Sequence, residues 1–376
     1  MGKRCDPSQS TTRRAFLGGG LAIALAGCLE SSAEGNGEVS PRPADDVGSF
    51  EDILEEPTVP LARPLSEYAD AAADSTASTD SIPAIDDPTI IEAGAEASLL
   101  DEESVVFGVE IDGVARAYPH LVLVHHEIIN DTLGGTPLAL TYCPLTGTAI
   151  AFERGDTVFG VEGWLINSNL ILFDRNTDSW WPQILGTAVD GALEGYSLPE
   201  VRVVWTTWGR WRETYPETTV VTDETDYIRS YGDDPYGLYN PEPVGGYYVS
   251  SDLLYPVLSE DDRLHPKEIV MGSRTRDGAV AFRKDTLRET ELLTAELTGS
   301  TSADGVPYLA VYHSQLDTGF VYRNPEEESY VRRSDGYEGP DGTVHAADAL
   351  PLESVNTFDA MWFAWYAFYP ETALVT

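Results

Sequence analysis

A chain of 376 residues with 63 Asp and Glu against 23 Lys and Arg carries a formal charge of −40. Such a field repels nucleic acid and anionic surfaces, which excludes nucleic acid as a partner. The acids are spread through segments that also hold tryptophans and strand-like runs, so they read as the surface of a halophilic protein, built for multimolar salt.

At the N-terminus, Thr12-Arg13-Arg14-Ala15-Phe16-Leu17 has the form of a twin-arginine export motif, followed by an apolar run from Gly18 to Ala26. That run is too short for a membrane-spanning helix. It ends in Leu25-Ala26-Gly27-Cys28, which resembles a lipobox. Residues 1–28 are therefore expected to be a signal peptide read by the twin-arginine translocase. Cys28 is expected to carry lipid and hold the protein on the outer face of the cell membrane. Cys143 is then the one thiol left in the mature chain, and no internal disulfide can form.

Residues 29–85, rich in Ser, Ala, Asp, Glu and Pro, read as an acidic tether, with local docking of 50–54 and 61–68 left open. Beyond it, Val105–Ile111 and Val114–Tyr118 flank Asp112-Gly113, a strong hairpin signal. A short helix is predicted over 119–129. Strands are predicted over 138–142, 149–153, 157–165 and 170–174, and a helix over 205–215 with Trp208 and Trp211 on one face. The fold class expected is α+β, mainly β with short helices.

The chain also resembles itself. Trp208, Trp211, Tyr215, Pro216, Glu217, Thr218 and Thr222 match Trp362, Trp365, Tyr369, Pro370, Glu371, Thr372 and Thr376 without a gap. Pro137, Tyr142 and Cys143 line up with Pro307, Tyr312 and His313, and Gly108 and Asp112-Gly113 with Gly272 and Asp277-Gly278. This order predicts two tandem degenerate copies of one β-rich unit, at 86–222 and 266–376, joined by a Tyr/Gly/Pro-rich connector at 223–265.

Chemistry concentrates between residues 125 and 154, where His125, His126, Glu127, Asn130, Asp131 and Cys143 lie close in sequence. The run HEIIND, then GG, then TYCPLTGTAIAFER and NSNLILFDRNTDSWWPQILGTAVDG, resembles the domain-of-unknown-function family 3179 from about residue 85 to the end. That family is often exported, and the resemblance implies no established activity. Its common pattern is a C-x-x-C pair; here Thr146 occupies the second position, which removes a dithiol cycle.

Three readings follow. His125, His126, Cys143 and His313, with Met271 in support, supply ligands suited to copper or zinc, although adjacent helical histidines point about a hundred degrees apart. Cys143, His126 and Asp131 (or Asn130) form the catalytic set of a cysteine-dependent hydrolase or transferase, with the Gly147-Thr148 backbone donating to an oxyanion. In the third, Cys143 is a small buried core residue of a structural or binding lipoprotein. Asp233-Asp234 and Asp261-Asp262 read as solvated acids, for lack of EF-hand alternation.

Overall fold

The structure, a computed structural model, describes residues 49–57, 59–75, 77–94, 100–239, 243–244, 246–298 and 305–376. Arg13, Arg14 and Cys28 lie outside the described residues. The molecule is mainly β, with six short helices among the described residues.

Chain reversal at Asp112-Gly113, both at positive φ, pairs strand β1 (Val105–Ile111) with β2 (Val114–Pro119). Pro119 ends the strand, and helix α1 follows at once over His120–His126. It is shorter than the sequence predicts because Glu127 turns left-handed at φ 57° and its amide closes on the Leu123 carbonyl. The backbone then enters the meander β3 (Ile128–Leu133), β4 (Thr136–Cys143) and β5 (Thr148–Glu153). β4 is apolar almost throughout because it is the central strand of its five-stranded sheet and is buried along most of its length. Strands β6 (Phe159–Ile166), β7 (Asn169–Asp174) and β8 (Trp180–Pro182) form a separate sheet.

The chain returns through β9 (Glu200–Val201) beside β5, and through β10 (Val204–Thr207), which pairs with β1. Helix α2 (Trp208–Thr214) then leads to β11 (Thr219–Val221), which lies parallel to β2. The first half thus holds one sheet ordered β10-β1-β2-β11 and another containing β3-β4-β5-β9.

From residue 269 the same orders recur. Strands β12 (Ile269–Thr275) and β13 (Gly278–Arg283), helix α3 (Lys284–Thr290), and strands β14 (Leu292–Leu297), β15 (Val306–His313) and β16 (Thr318–Arg323) follow in turn. β17 (Glu353–Val355), β18 (Thr357–Met361), helix α4 (Trp362–Phe368) and β19 (Ala373–Val375) complete the chain. The sheets are ordered β18-β12-β13-β19 and β14-β15-β16-β17, and β19 again runs parallel to β13. Details repeat too. Glu291 ends α3 left-handed at φ 62°, as Glu127 ends α1. Trp211 donates from Nε1 to Thr218 Oγ1 at 2.9 Å, and Trp365 does the same to Thr372 at 2.9 Å. Each indole lies flat against a glycine of the neighbouring strand, Gly108 or Gly272, where a Cβ would fall within 2.6 Å of the ring.

Part of the segment expected to be tether belongs to the core. Residues 50–53 and 65–70 are helical, and Phe50 and Tyr68 are fully buried. Phe50 meets Phe159 and Trp181 edge-on, while Tyr68 stacks on Phe368 at 5.9 Å. These aromatics supply apolar area to a spacer-like composition, and that burial is what docks them.

Candidate functional site

The end of β4 and helix α1 carry the residues singled out in the sequence, and the fold separates them. Cys143 is 2% exposed; its Sγ accepts from the Leu170 amide at 3.4 Å and donates to the Ser168 carbonyl at 3.8 Å. Burial, helped by the neighbouring Glu127, pushes its thiol up to about 11, so the thiolate is scarce at neutral pH.

His126 is fully buried, with Nδ1 against the Pro83 carbonyl at 2.7 Å and Nε2 against the Tyr231 hydroxyl at 2.6 Å. Both ring nitrogens are occupied, which leaves neither for a thiol or a metal. Asp131 is paired with Arg116 and accepts from the Tyr118 hydroxyl at 2.7 Å. The expected catalytic set Cys143, His126 and Asp131 is therefore not assembled. Asn130 is committed as well, donating to Asp86 and to the Phe159 carbonyl.

The expected metal set disperses in the same way. His125 points to the Asp233 carbonyl at 2.9 Å, on another face of the helix from His126. His313 sits on β15, its Nδ1 accepting from the Leu316 amide at 3.2 Å and its ring beside Phe320. Met271 lies in a second cluster with Leu287. Among the described residues no three His, Cys, Asp or Glu side chains converge to hold a metal ion. The donor set does not fit copper or zinc.

Gly147, at φ 57°, backs onto Met361, and the Thr146 carbonyl accepts from the Met361 amide at 2.9 Å. The loop after Cys143 is thereby packed against β18 rather than opened towards a ligand. Thr146 joins Thr141, Thr148, Asn169 and Gln183 in a buried network, with bonds from 2.6 to 3.1 Å. The Asn-Ser-Asn stretch supplies part of that clamp as well as a turn: Asn167 and Ser168 have positive φ, and Asn169 Oδ1 accepts from Ile184.

What the fold does bring together is a group whose members lie far apart in the sequence. His120, at the start of α1, is 3% exposed, with Nε2 3.1 Å from the Tyr142 hydroxyl and 3.6 Å from Asp234 Oδ2. Tyr248 donates to the same carboxylate at 3.0 Å and stands 3.4 Å from the Tyr142 hydroxyl. Burial lowers His120 to about 3 and raises Asp234, so the imidazole is neutral. Both residues line a cavity of about 220 Å³ with Ser104, Val105, Pro119 and Asp233. Asp234 is thus no solvated acid, and neither is Asp261, which accepts from Arg263 and the Trp362 indole.

Asp234, Tyr231 and Tyr248 come from the stretch read as a connector, which covers α1 and the end of β4. Tyr247 adds a bond to the Leu145 carbonyl at 2.9 Å. The density of tyrosine in 227–255 was the available signal. Glu127 lies under this cover, 8% exposed, and its carboxyl has no hydrogen-bond partner among the described residues. Burial alone raises it to about 8, so it is largely protonated at neutral pH.

Residues 79–372 match the family model described as Protein of unknown function (DUF3179). The chain belongs to that family. The DUF3179 match spans both halves and the connector, so it includes His120, Glu127, Cys143 and Asp234. The chain matches no curated protein and no solved structure.

Proposed function

We propose that this DUF3179 member is an exported lipoprotein whose globular part binds a small polar ligand in the chamber beside His120. The observation that carries the reading is the buried imidazole of His120, 3.6 Å from Asp234 on the wall of a cavity of about 220 Å³. His120, Asp234, Tyr142 and Tyr248 form a buried polar cluster on that wall, the usual polar equipment of a small-molecule pocket. The sealed thiol of Cys143 supports a packing role rather than nucleophilic or metal chemistry. Lipid on Cys28 holds the module at the outer face of the membrane, a reading supported by Arg13-Arg14 and the Leu-Ala-Gly-Cys run.

We infer as well that the two halves are copies of one ancestral unit. The repeated strand order, the two left-handed glutamates and the two Trp–Thr bonds support it.

The binding reading is tested by thermal-shift screening of small polar compounds at high salt, with wild type beside His120→Phe and Asp234→Asn. A compound that raises the melting temperature of wild type and fails on both variants supports it. Responses that survive both substitutions place binding elsewhere and overturn it. Cell fractionation of Cys28→Ser tests the anchor: release from the membrane fraction is expected, and unchanged retention refutes lipid attachment there.

A further inference from the structure

A second and larger cleft, of about 350 Å³, opens between β10, the segment 265–269 and the start of α3. Its lining has an unusual charge balance for this chain. Lys267, Arg283, Lys284 and Arg288 face Glu268, Asp285, Asp317 and Asp359, four against four, whereas the whole chain has 23 bases to 63 acids. Two of the three lysines in the chain are here.

Three of these cations are committed to carboxylates. Arg283 meets Glu268 at 2.5 Å, Lys284 pairs with Asp359, and Arg288 holds Asp285 at 2.8 Å and Asp317 at 3.0 Å. Lys267 differs. It is 4% exposed, and its ammonium donates to the carbonyls of Tyr247 at 2.8 Å and Asp252 at 3.2 Å, over the Tyr247 ring. No carboxylate lies within ion-pair distance of it among the described residues. Carbonyls and a ring face orient an ammonium without neutralising it. Burial accordingly lowers Lys267 to about 8 in spite of the attraction of Asp252. In the same lining Thr206 is 4% exposed, with a hydroxyl that has no partner.

We propose that this cleft binds a small organic monocarboxylate, seated on the ammonium of Lys267 with Thr206 as a second donor. One cation without a carboxylate partner among the described residues matches one negative charge. A dianion such as phosphate meets the four fixed carboxylates of the lining and is disfavoured. The remaining ion pairs present both donors and acceptors, which suits a ligand carrying hydroxyl or carbonyl groups besides its carboxylate.

The scarcity of lysine makes the test direct. In protein labelled with ¹³C at lysine Cε, Lys267 and Lys284 are separate reporters inside the folded region, and Lys284→Arg, which keeps a cation opposite Asp359, assigns them. Lactate, lactamide and inorganic phosphate are titrated in turn at constant ionic strength. The expected result is a saturable shift of the Lys267 signal with lactate, a much smaller one at Lys284, and none with the uncharged amide. Thr206→Val should weaken lactate binding about tenfold, the loss of one hydrogen bond to a charged group. Shifts that grow without saturation at both lysines, equal responses to lactamide, or preference for phosphate would each overturn the proposal.

Discussion

Gly108→Ala is the substitution on which the packing argument can be tested most sharply. The added methyl would lie 2.6 Å from Cδ2 of Trp211 and closer still to Cε3 and Cζ3, where carbon atoms ordinarily stand ~3.5–4.0 Å apart. The ring must therefore retreat by about 1 Å or more. It has nowhere to go: Trp211 is fully buried, packed against the tilted ring of Tyr215 at 4.3 Å and tied through Nε1 to Thr218. Overpacking of this kind costs about 1–3 kcal/mol, and a strained or broken indole bond adds about 1 kcal/mol. The expected loss is thus ~2–4 kcal/mol, or roughly 4–8 °C at about 2 °C per kcal/mol for a domain of this size. Gly272→Ala should behave alike, since it meets Trp365 in the same way. Gly94→Ala, which meets nothing within 4 Å, is the control and should stay within about 0.5 kcal/mol of wild type. The assay is differential scanning calorimetry in concentrated salt. If the Gly108 variant melts with the Gly94 control, the account of two tryptophans seated on two glycines fails.

Further outcomes are expected at the buried ionisable groups. Cys143 should resist thiol reagents in the native protein and react at once after unfolding; fast native labelling would contradict the sealed thiol. Glu127, raised from 4.5 to about 8, holds more protons folded than unfolded between those values. Its contribution is fully present below pH 4.5 and is lost as pH rises through 8, a change on the order of 5 kcal/mol. Glu127→Gln should flatten that part of the stability curve, and an unchanged slope from pH 5 to 8 would refute the assignment. His120, lowered from 6.5 to about 3, acts in the opposite sense: its contribution is present above pH 6.5 and falls away towards pH 3. His120→Phe should reduce acid sensitivity in that window, as followed by chemical denaturation at each pH. Asp131→Ala should cost about 3 kcal/mol, because it leaves Arg116 without its carboxylate and Tyr118 without its acceptor; a loss below 1 kcal/mol would show that the pair is dispensable.

Much of the fold was legible in the residues. The Asp-Gly turn and the apolar runs of β4 and β5 follow from local rules and appear where those rules put them, while the helix expected over 205–215 begins only at Trp208 because residues 204–207 pair with β1 as a strand. The site was not legible in the same way. Nearness in sequence made His126 look like a partner of Cys143, but the left-handed turn at Glu127 ends the helix and His126 faces Pro83 and Tyr231. His120 was overlooked because its partners, Tyr142 and Asp234, are 22 and 114 positions away along the chain. Asp234 was misjudged for a related reason. An acid in a Gly/Pro-rich stretch ordinarily faces water, and only the folding of that stretch over α1 gives it a histidine and a tyrosine to hold.

The contact between Tyr68 and Phe368 also sets an order of events in biosynthesis. Tyr68 leaves the ribosome long before the helix it stacks on, and its hydroxyl reaches the carbonyl of that same Phe368 across 300 residues. Until α4 is made, the ring has no stacking partner, and the strands that α4 seals stay open on one side. A chain cut short before α4 would keep its leading segment loose while much of its first half was already built. The contact between Tyr68 and Phe368 therefore forms only once α4 is present, and products that lack α4 would stand out by the aromatic surface they leave uncovered.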